Sequence, residues 1–165
     1  MKRIFCIFFL LIVAATGLRA QSRLQFDHVK LSNKKDYKLA DTTVSQLSAY
    51  LLSIPINRDT TTRINGAQFL MKWMEGTNEY TFVVNENNTR AFINNINLMA
   101  VYMAALCKTA LQHKPGTDSK TITIDGTKRL ISYINDPANN VKMTPELREL
   151  CNASDKGELE SFLNF

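Results

Sequence analysis

Apolar residues in this chain recur mainly at helical spacing, and the first clear face after residue 40 is Val44, Leu47, Leu51 and Ile54. Steps of three and four residues line one side of an α-helix, which Asp41 or Thr42 is suited to cap. Pro55 ends it, because the residue before a proline is pushed out of the helical region. Ile64, Ala67, Met71 and Met74 draw a second face, widened by Phe69, Leu70 and Trp73, with Asp59 or Thr60 as cap and Gly76 as a left-handed terminator. Tyr80, Phe82 and Val84 then alternate with Thr81, Val83 and Asn85, the pattern of one short β element near 80–85 or of an extended connector. A lone strand needs a partner, and only Leu24–His28 and Thr121–Asp125 offer one.

Leu98 to Cys107 is a run of ten apolar residues, which predicts a central helix over 98–112 with the other helices around it. Such a run is too short to cross a bilayer. His113, near its far end, suits the terminal carbonyl dipoles. Lys114 to Asp118 reads as a loop, and a further helix is expected from about 122 to Ile134 despite Gly126. Thr144-Pro145 has the look of a cap followed by proline at the first helical position, opening a short helix through Leu147 and Leu150 to Cys151. A last turn is expected from Ser154 or Asp155, with Asp155 and Glu158 at capping-box spacing. The fold class is therefore mainly α: a compact bundle of about five to six short helices in a single domain over 41–165. Residues 21–40 read as an extended, loosely held leader segment.

The beginning of the chain has a different character. Met1-Lys2-Arg3, twelve apolar residues from Ile4 to Ala15 and the small-residue exit to Ala20 form the three regions of a signal peptide, 1–20. Twelve helical residues span about 18 Å against a hydrocarbon core of roughly 30 Å, so no stable membrane span is expected once it is cleaved. Cleavage is placed after Ala20, with Ala15-Thr16-Gly17 as a rival site. Cys6 lies inside the apolar run rather than after it, which does not fit a lipoprotein.

Composition then narrows the classes. With 165 residues, 45% apolar and 21% charged, the chain has room for one core and is neither disordered nor collagen-like. The formal charge of +5 owes three residues, Lys2, Arg3 and Arg19, to the expected signal, which leaves about +2. A chain so nearly neutral lacks the basic surface that nucleic acid requires. The local excess of Arg23, Lys30, Lys34, Lys35 and Lys38 over Asp27 and Asp36 reads as a solvated segment.

Candidate chemistry is sparse. Cys107 and Cys151, 44 residues apart, are expected to form a disulfide in an oxidising compartment; loop closure of that length contributes roughly 4 kcal/mol in the chain-entropy model. Two buried thiols are the alternative. His28 and His113 have no second ligand at metal-site spacing, no Gly-x-Ser-x-Gly elbow marks a nucleophile, and no phosphate-cradling glycine run occurs. The pairs Glu146 with Glu149 and Glu158 with Glu160 read as solvated helix faces. No catalytic, cofactor-binding or metal-ligating residues are assigned, and no cofactor is expected. Met71, Met74, Met99 and Met103 with Phe69, Trp73 and Tyr102 fit core packing better than an adaptable binding surface. Asp41-Thr42-Thr43 and Asp59-Thr60-Thr61 each resemble the Asp-Thr/Ser-x acceptor of general O-glycosylation in exported proteins of some Gram-negative bacteria, making Thr42 and Thr60 candidate sites; helix capping explains both copies as well.

The signal peptide, the segment Phe69 to Thr77, the Leu98 to Lys108 run and the short acidic-capped C-terminal helix together resemble small exported all-helical proteins of Gram-negative bacteria that carry no assigned activity. More distantly, the helical build with one long-range cystine is similar to periplasmic acid-stress chaperones and to periplasmic immunity proteins. The likeness brings no site residues with it. It implies a periplasmic or secreted helical domain that binds a protein or other partner in the cell envelope without catalysis. The alternatives are a periplasmic stress chaperone and, third, an unrecognised hydrolase.

Overall fold

The apolar decapeptide sits where its composition puts it, at the centre of a helical bundle. A computed structural model describes residues 25–165, so the expected signal peptide at 1–20, and with it Leu24, lies outside the described residues. In chain order the helices are α1 (Lys34–Leu39), α2 (Asp41–Ser53), α3 (Thr60–Gly76), α4 (Glu86–Thr89), α5 (Ile96–Ala110), α6 (Ser119–Asn135), α7 (Pro145–Asp155) and α8 (Leu159–Phe162), with a 3-10 turn at Pro137–Asn139 before α7. Leu98 and every residue from Ala100 to Cys107 on α5 are buried, and α2, α3 and α6 all pack against it. A helix covered on three sides has no face left for polar residues, which is why its sequence has none over that stretch.

Local signals fix most of the ends. Asn95 caps α5 by accepting from the Leu98 amide at 3.1 Å, and Asp118 caps α6 by accepting from Thr121 at 2.8 Å. Thr144 accepts from the Leu147 amide at 3.3 Å with Pro145 in the first helical position, as the sequence predicts. Asp59 caps α3 from a left-handed conformation with φ of 46°, one that aspartate tolerates better than most residues. Ile54 is extended ahead of Pro55 and ends α2.

Four expectations are corrected. Lys34–Leu39 is helical inside the segment read as extended, because Asn33 and Asp36 form a capping box in which each side chain accepts from the other's backbone amide. The described part of that segment, from residue 25, is also held firmly: Phe26 and Leu31 are buried in the core. Gly76 is the last residue of α3, not a left-handed terminator; a Cβ there would run into the Tyr37 ring, whose backbone carbonyl accepts from Trp73 Nε1 at 3.1 Å. The capping box expected at Asp155 and Glu158 does not form, since α7 runs through Asp155 to a cap at Lys156, and Gly157, with φ of 74°, turns the chain after it.

Residues 80–85 are an extended connector, and among the described residues there is no strand. Their alternation serves a helix instead of a sheet. Tyr80 and Phe82 turn their rings to Trp73, with centroids 6.1 and 5.9 Å away, while Thr81 faces solvent. Thr121–Asp125, the proposed strand partner, lies within α6. That helix comes close to α5 where it presents Gly126 to Leu106.

Candidate functional site

Two features stand out from the packed core, a buried guanidinium and a surface groove. Arg63 of α3 is fully buried, and among the described residues it has no carboxylate partner. Its Nη1 donates to the Leu51 carbonyl at 3.4 Å, and its Nη2 donates to those of Ile54 and Pro55 at 3.3 and 2.9 Å. The Leu51 and Ile54 carbonyls lie at the C-terminus of α2, where helix carbonyls lack intrahelical donors and a cation is favoured by the dipole, while that of Pro55, just beyond, also accepts from the Arg58 amide at 3.0 Å. Tyr133 of α6 donates to the same Ile54 carbonyl at 2.7 Å, and Asn139 ties Tyr133 to the loop through its side chain and the Ile56 amide. The cluster is a structural joint between α2, α3 and α6; sealed from solvent, Arg63 cannot meet a ligand.

The groove is open. Asn65, Gln68, Phe69 and Lys72 lie at steps that put them on one side of α3, and the segment Phe26–Leu31 runs beside them. Between the two lies a groove of about 300 Å³. Half-buried Val29 and Phe69 line its base over the buried Phe26 and Leu31, with the Phe26 and Phe69 ring centroids 5.7 Å apart. Its rim is polar, with Asp27 on the N-terminal segment and Asn65, Gln68 and Lys72 on the helix, all exposed. In the sequence Phe69 reads as part of a mainly core aromatic set. Its partner Phe26 belongs to the segment that reads as loose, so the pattern of residues does not reveal the groove.

Cys107 and Cys151 are both buried free thiols, which corrects the expected disulfide. Cys107 faces the core from α5, whereas α7 rests chiefly on α6 and α8, where the Cys151 thiol contacts Asn135 Oδ1 at 3.6 Å. Burial raises the Cys107 thiol well above its usual range; burial first and then Asp155 raise that of Cys151. Neither is a ready nucleophile.

His113 does not serve the α5 carbonyls. Its Nε2 lies 3.2 Å from Asp125 Oδ2 on α6, and Lys128 approaches the same carboxylate at 3.5 Å. Such a pair can orient a base, yet no hydroxyl or thiol among the described residues hydrogen-bonds to the ring. His28 is exposed on the N-terminal segment. Among the described residues no group of three histidine, cysteine or carboxylate side chains could hold a metal, and no helix is long and apolar enough to cross a membrane. Glu146, Glu149, Glu158 and Glu160 are all exposed, and Glu160 pairs with Lys120. Of the methionines, Met74 and Met103 are buried and Met71 is exposed. Thr42 and Thr60 are exposed in the first turns of α2 and α3. Asp59 caps its helix, whereas Asp41 lies inside α2 and pairs with Lys38 at 3.1 Å.

No family model matches the chain, and no match is found among curated proteins or solved structures.

Proposed function

We propose that this chain is an exported helical domain, periplasmic or secreted, that binds a protein partner in the cell envelope and is not catalytic. The observation that supports the reading is the open groove beside α3, where half-buried Val29 and Phe69 lie among the exposed polar side chains of Asp27, Asn65, Gln68 and Lys72. Export rests on the N-terminal pattern at 1–20. A photo-cross-linking residue at Gln68 should trap one envelope protein, and the same residue at exposed Arg148 on α7 should not. Asn65→Trp, which fills the groove from its rim, should abolish the adduct. Equal adducts from both positions, or none from position 68, would count against this reading.

Less supports the stress-chaperone alternative. The buried polar side chains among the described residues are Ser48, Arg63, Asn88, Thr89, Thr109, Thr123, Thr127 and Asn139, so acid finds no buried carboxylate to neutralise. Hydrogen bonding from Tyr50, then from Thr62, holds the Asp59 carboxyl below its usual range, and bonds from Thr121 do the same for Asp118. Groups depressed in this way stabilise the fold above their unfolded pKa of about 3.9, and that contribution is lost as pH falls through the lower folded values. Asp59 and Asp118 are exposed helix caps, so the loss is small. The single tryptophan, Trp73, is fully buried and should keep a blue-shifted emission at about pH 3. A red shift there, with suppression of client aggregation, would favour the chaperone.

The Asp-Thr-Thr sites add a second proposal: Thr42 and Thr60 are O-glycan acceptors, supported by their exposure. The exported protein from its own host should exceed its polypeptide mass, and Thr42→Ala with Thr60→Ala should remove the excess. An unmodified mass would end the proposal.

A further inference from the structure

We infer that Lys108 of α5 and Arg129 of α6 form a binding site for one compact phosphoryl group, carried by a soluble phosphate ester or by a lipid headgroup. The site is independent of the groove beside α3.

The two cations are brought to one end of α5 by neutral partners. Arg129 reaches across from α6, where its Nε donates to Thr109 Oγ1 at 3.3 Å and its Nη2 to Gln112 Oε1. Gln112 lies in the turn that closes α5, its amide donating to the Thr109 carbonyl at 3.0 Å. Lys108, the residue before Thr109, spans the other way to α2, where its Nζ donates to Ser45 Oγ at 3.0 Å. Both cationic groups are thus held over the last turn of the same helix, and both side chains are half-buried.

Neither is in an ion pair among the described residues. Asp125, one turn before Arg129, has the spacing to pair with it, yet that carboxylate is taken by His113 at 3.2 Å and Lys128 at 3.5 Å. Asp41, one turn before Ser45, pairs with Lys38 at 3.1 Å. Hydroxyl and amide oxygens therefore orient Lys108 and Arg129 without discharging them, and like charges held together in a partly desolvated place favour an anion.

The donors left over suit a phosphoryl group. Arg129 Nη1 has no partner among the described residues, and the Lys108 ammonium, with three N–H groups, has one acceptor. A phosphate monoester carries close to two negative charges at neutral pH, matching two cations, and a guanidinium fork beside an ammonium fits its oxygens. A carboxylate supplies only one charge. Nucleic acid needs a longer basic track, which Asp125 and Asp41 interrupt.

Titration with inorganic phosphate against chloride at equal ionic strength, read from backbone amide shifts, tests the site. Phosphate should bind saturably and move amides of residues 108–112 and 125–132. Lys108→Gln and Arg129→Gln should each weaken binding by about five- to twentyfold, as for loss of a charge-assisted hydrogen bond, while Lys128→Gln should change it less than about twofold. Should Arg129→Gln lose helix by circular dichroism, Lys108→Gln carries the test alone. Saturable binding of glycerol phosphate without binding to phosphatidylcholine vesicles containing phosphatidic acid assigns a soluble ester; vesicle binding that Lys108→Gln removes assigns a headgroup. Shifts that do not saturate, that chloride reproduces, or that persist unchanged in the variants would overturn the inference and leave the protein-binding reading untouched.

Discussion

Replacing Arg63 with leucine is expected to destabilise the domain by about 3 kcal/mol, although the substitution removes a buried charge and leaves an apolar side chain in its place. Exchange of a buried ion pair for apolar residues is often harmless because both partners leave together. Here the partners are main-chain carbonyls of Leu51, Ile54 and Pro55, which no side-chain substitution can remove. Ile54 keeps its bond from Tyr133 and Pro55 its bond from the Arg58 amide, so the loss falls on the buried Leu51 carbonyl. Arg63→Lys should recover only part of the stability, since an ammonium lacks the planar fork that reaches several carbonyls at once. Urea denaturation followed by Trp73 fluorescence checks both. A leucine variant within about 0.5 kcal/mol of the parent would show that the guanidinium is not the joint between α2 and α3.

Gly126→Val should cost a similar amount, about 3 kcal/mol, for a different reason. A Cβ at Gly126 would stand 2.7 Å from Leu106 Cδ2 and 3.3 Å from Leu106 Cα, so the side chain must turn away and α6 must lift from α5. In an exposed helix, replacing glycine by alanine would gain about 1 kcal/mol in helix propensity; here the clash outweighs it. With Leu106→Ala already in place, Gly126→Ala should cost less than it does alone, because the truncated side chain vacates the volume that the new methyl needs. Gly116→Ala is the contrasting case. That glycine has φ of 82° and nothing within 4 Å of the place a methyl group would occupy, so only local backbone strain of about 1 kcal/mol is expected.

Much of this architecture is legible in the sequence because the strongest signals are local. The Leu98 to Cys107 run needs burial on every side, and Asp59 and the Thr144-Pro145 pair mark helix starts that the structure keeps. What escapes depends on contacts between distant residues. α1 has no buried residue to give it an apolar face, and its only signal is the Asn33–Asp36 spacing. Alternation at 80–85 resembles a strand because packing two rings against Trp73 imposes the same period of two as a sheet. Arg63 carries no mark of burial, since arginine is nearly always exposed. The expected disulfide assumes that α7 lies against α5, while its main contacts are with α6 and α8. The groove is the least visible feature, because half of it comes from Phe26–Leu31, whose core contacts have no periodic signature.

Hydrogen exchange tests the arrangement most directly. If α5 is the axis around which the other helices are built, amides of residues 100–107 should exchange only through global unfolding, with protection matching the free energy from denaturation, while α1, α4 and α8 open first. Exchange at 100–107 as fast as in those short outer helices would place the apolar decapeptide at an accessible surface, and the bundle described here would have to be rebuilt around a different centre.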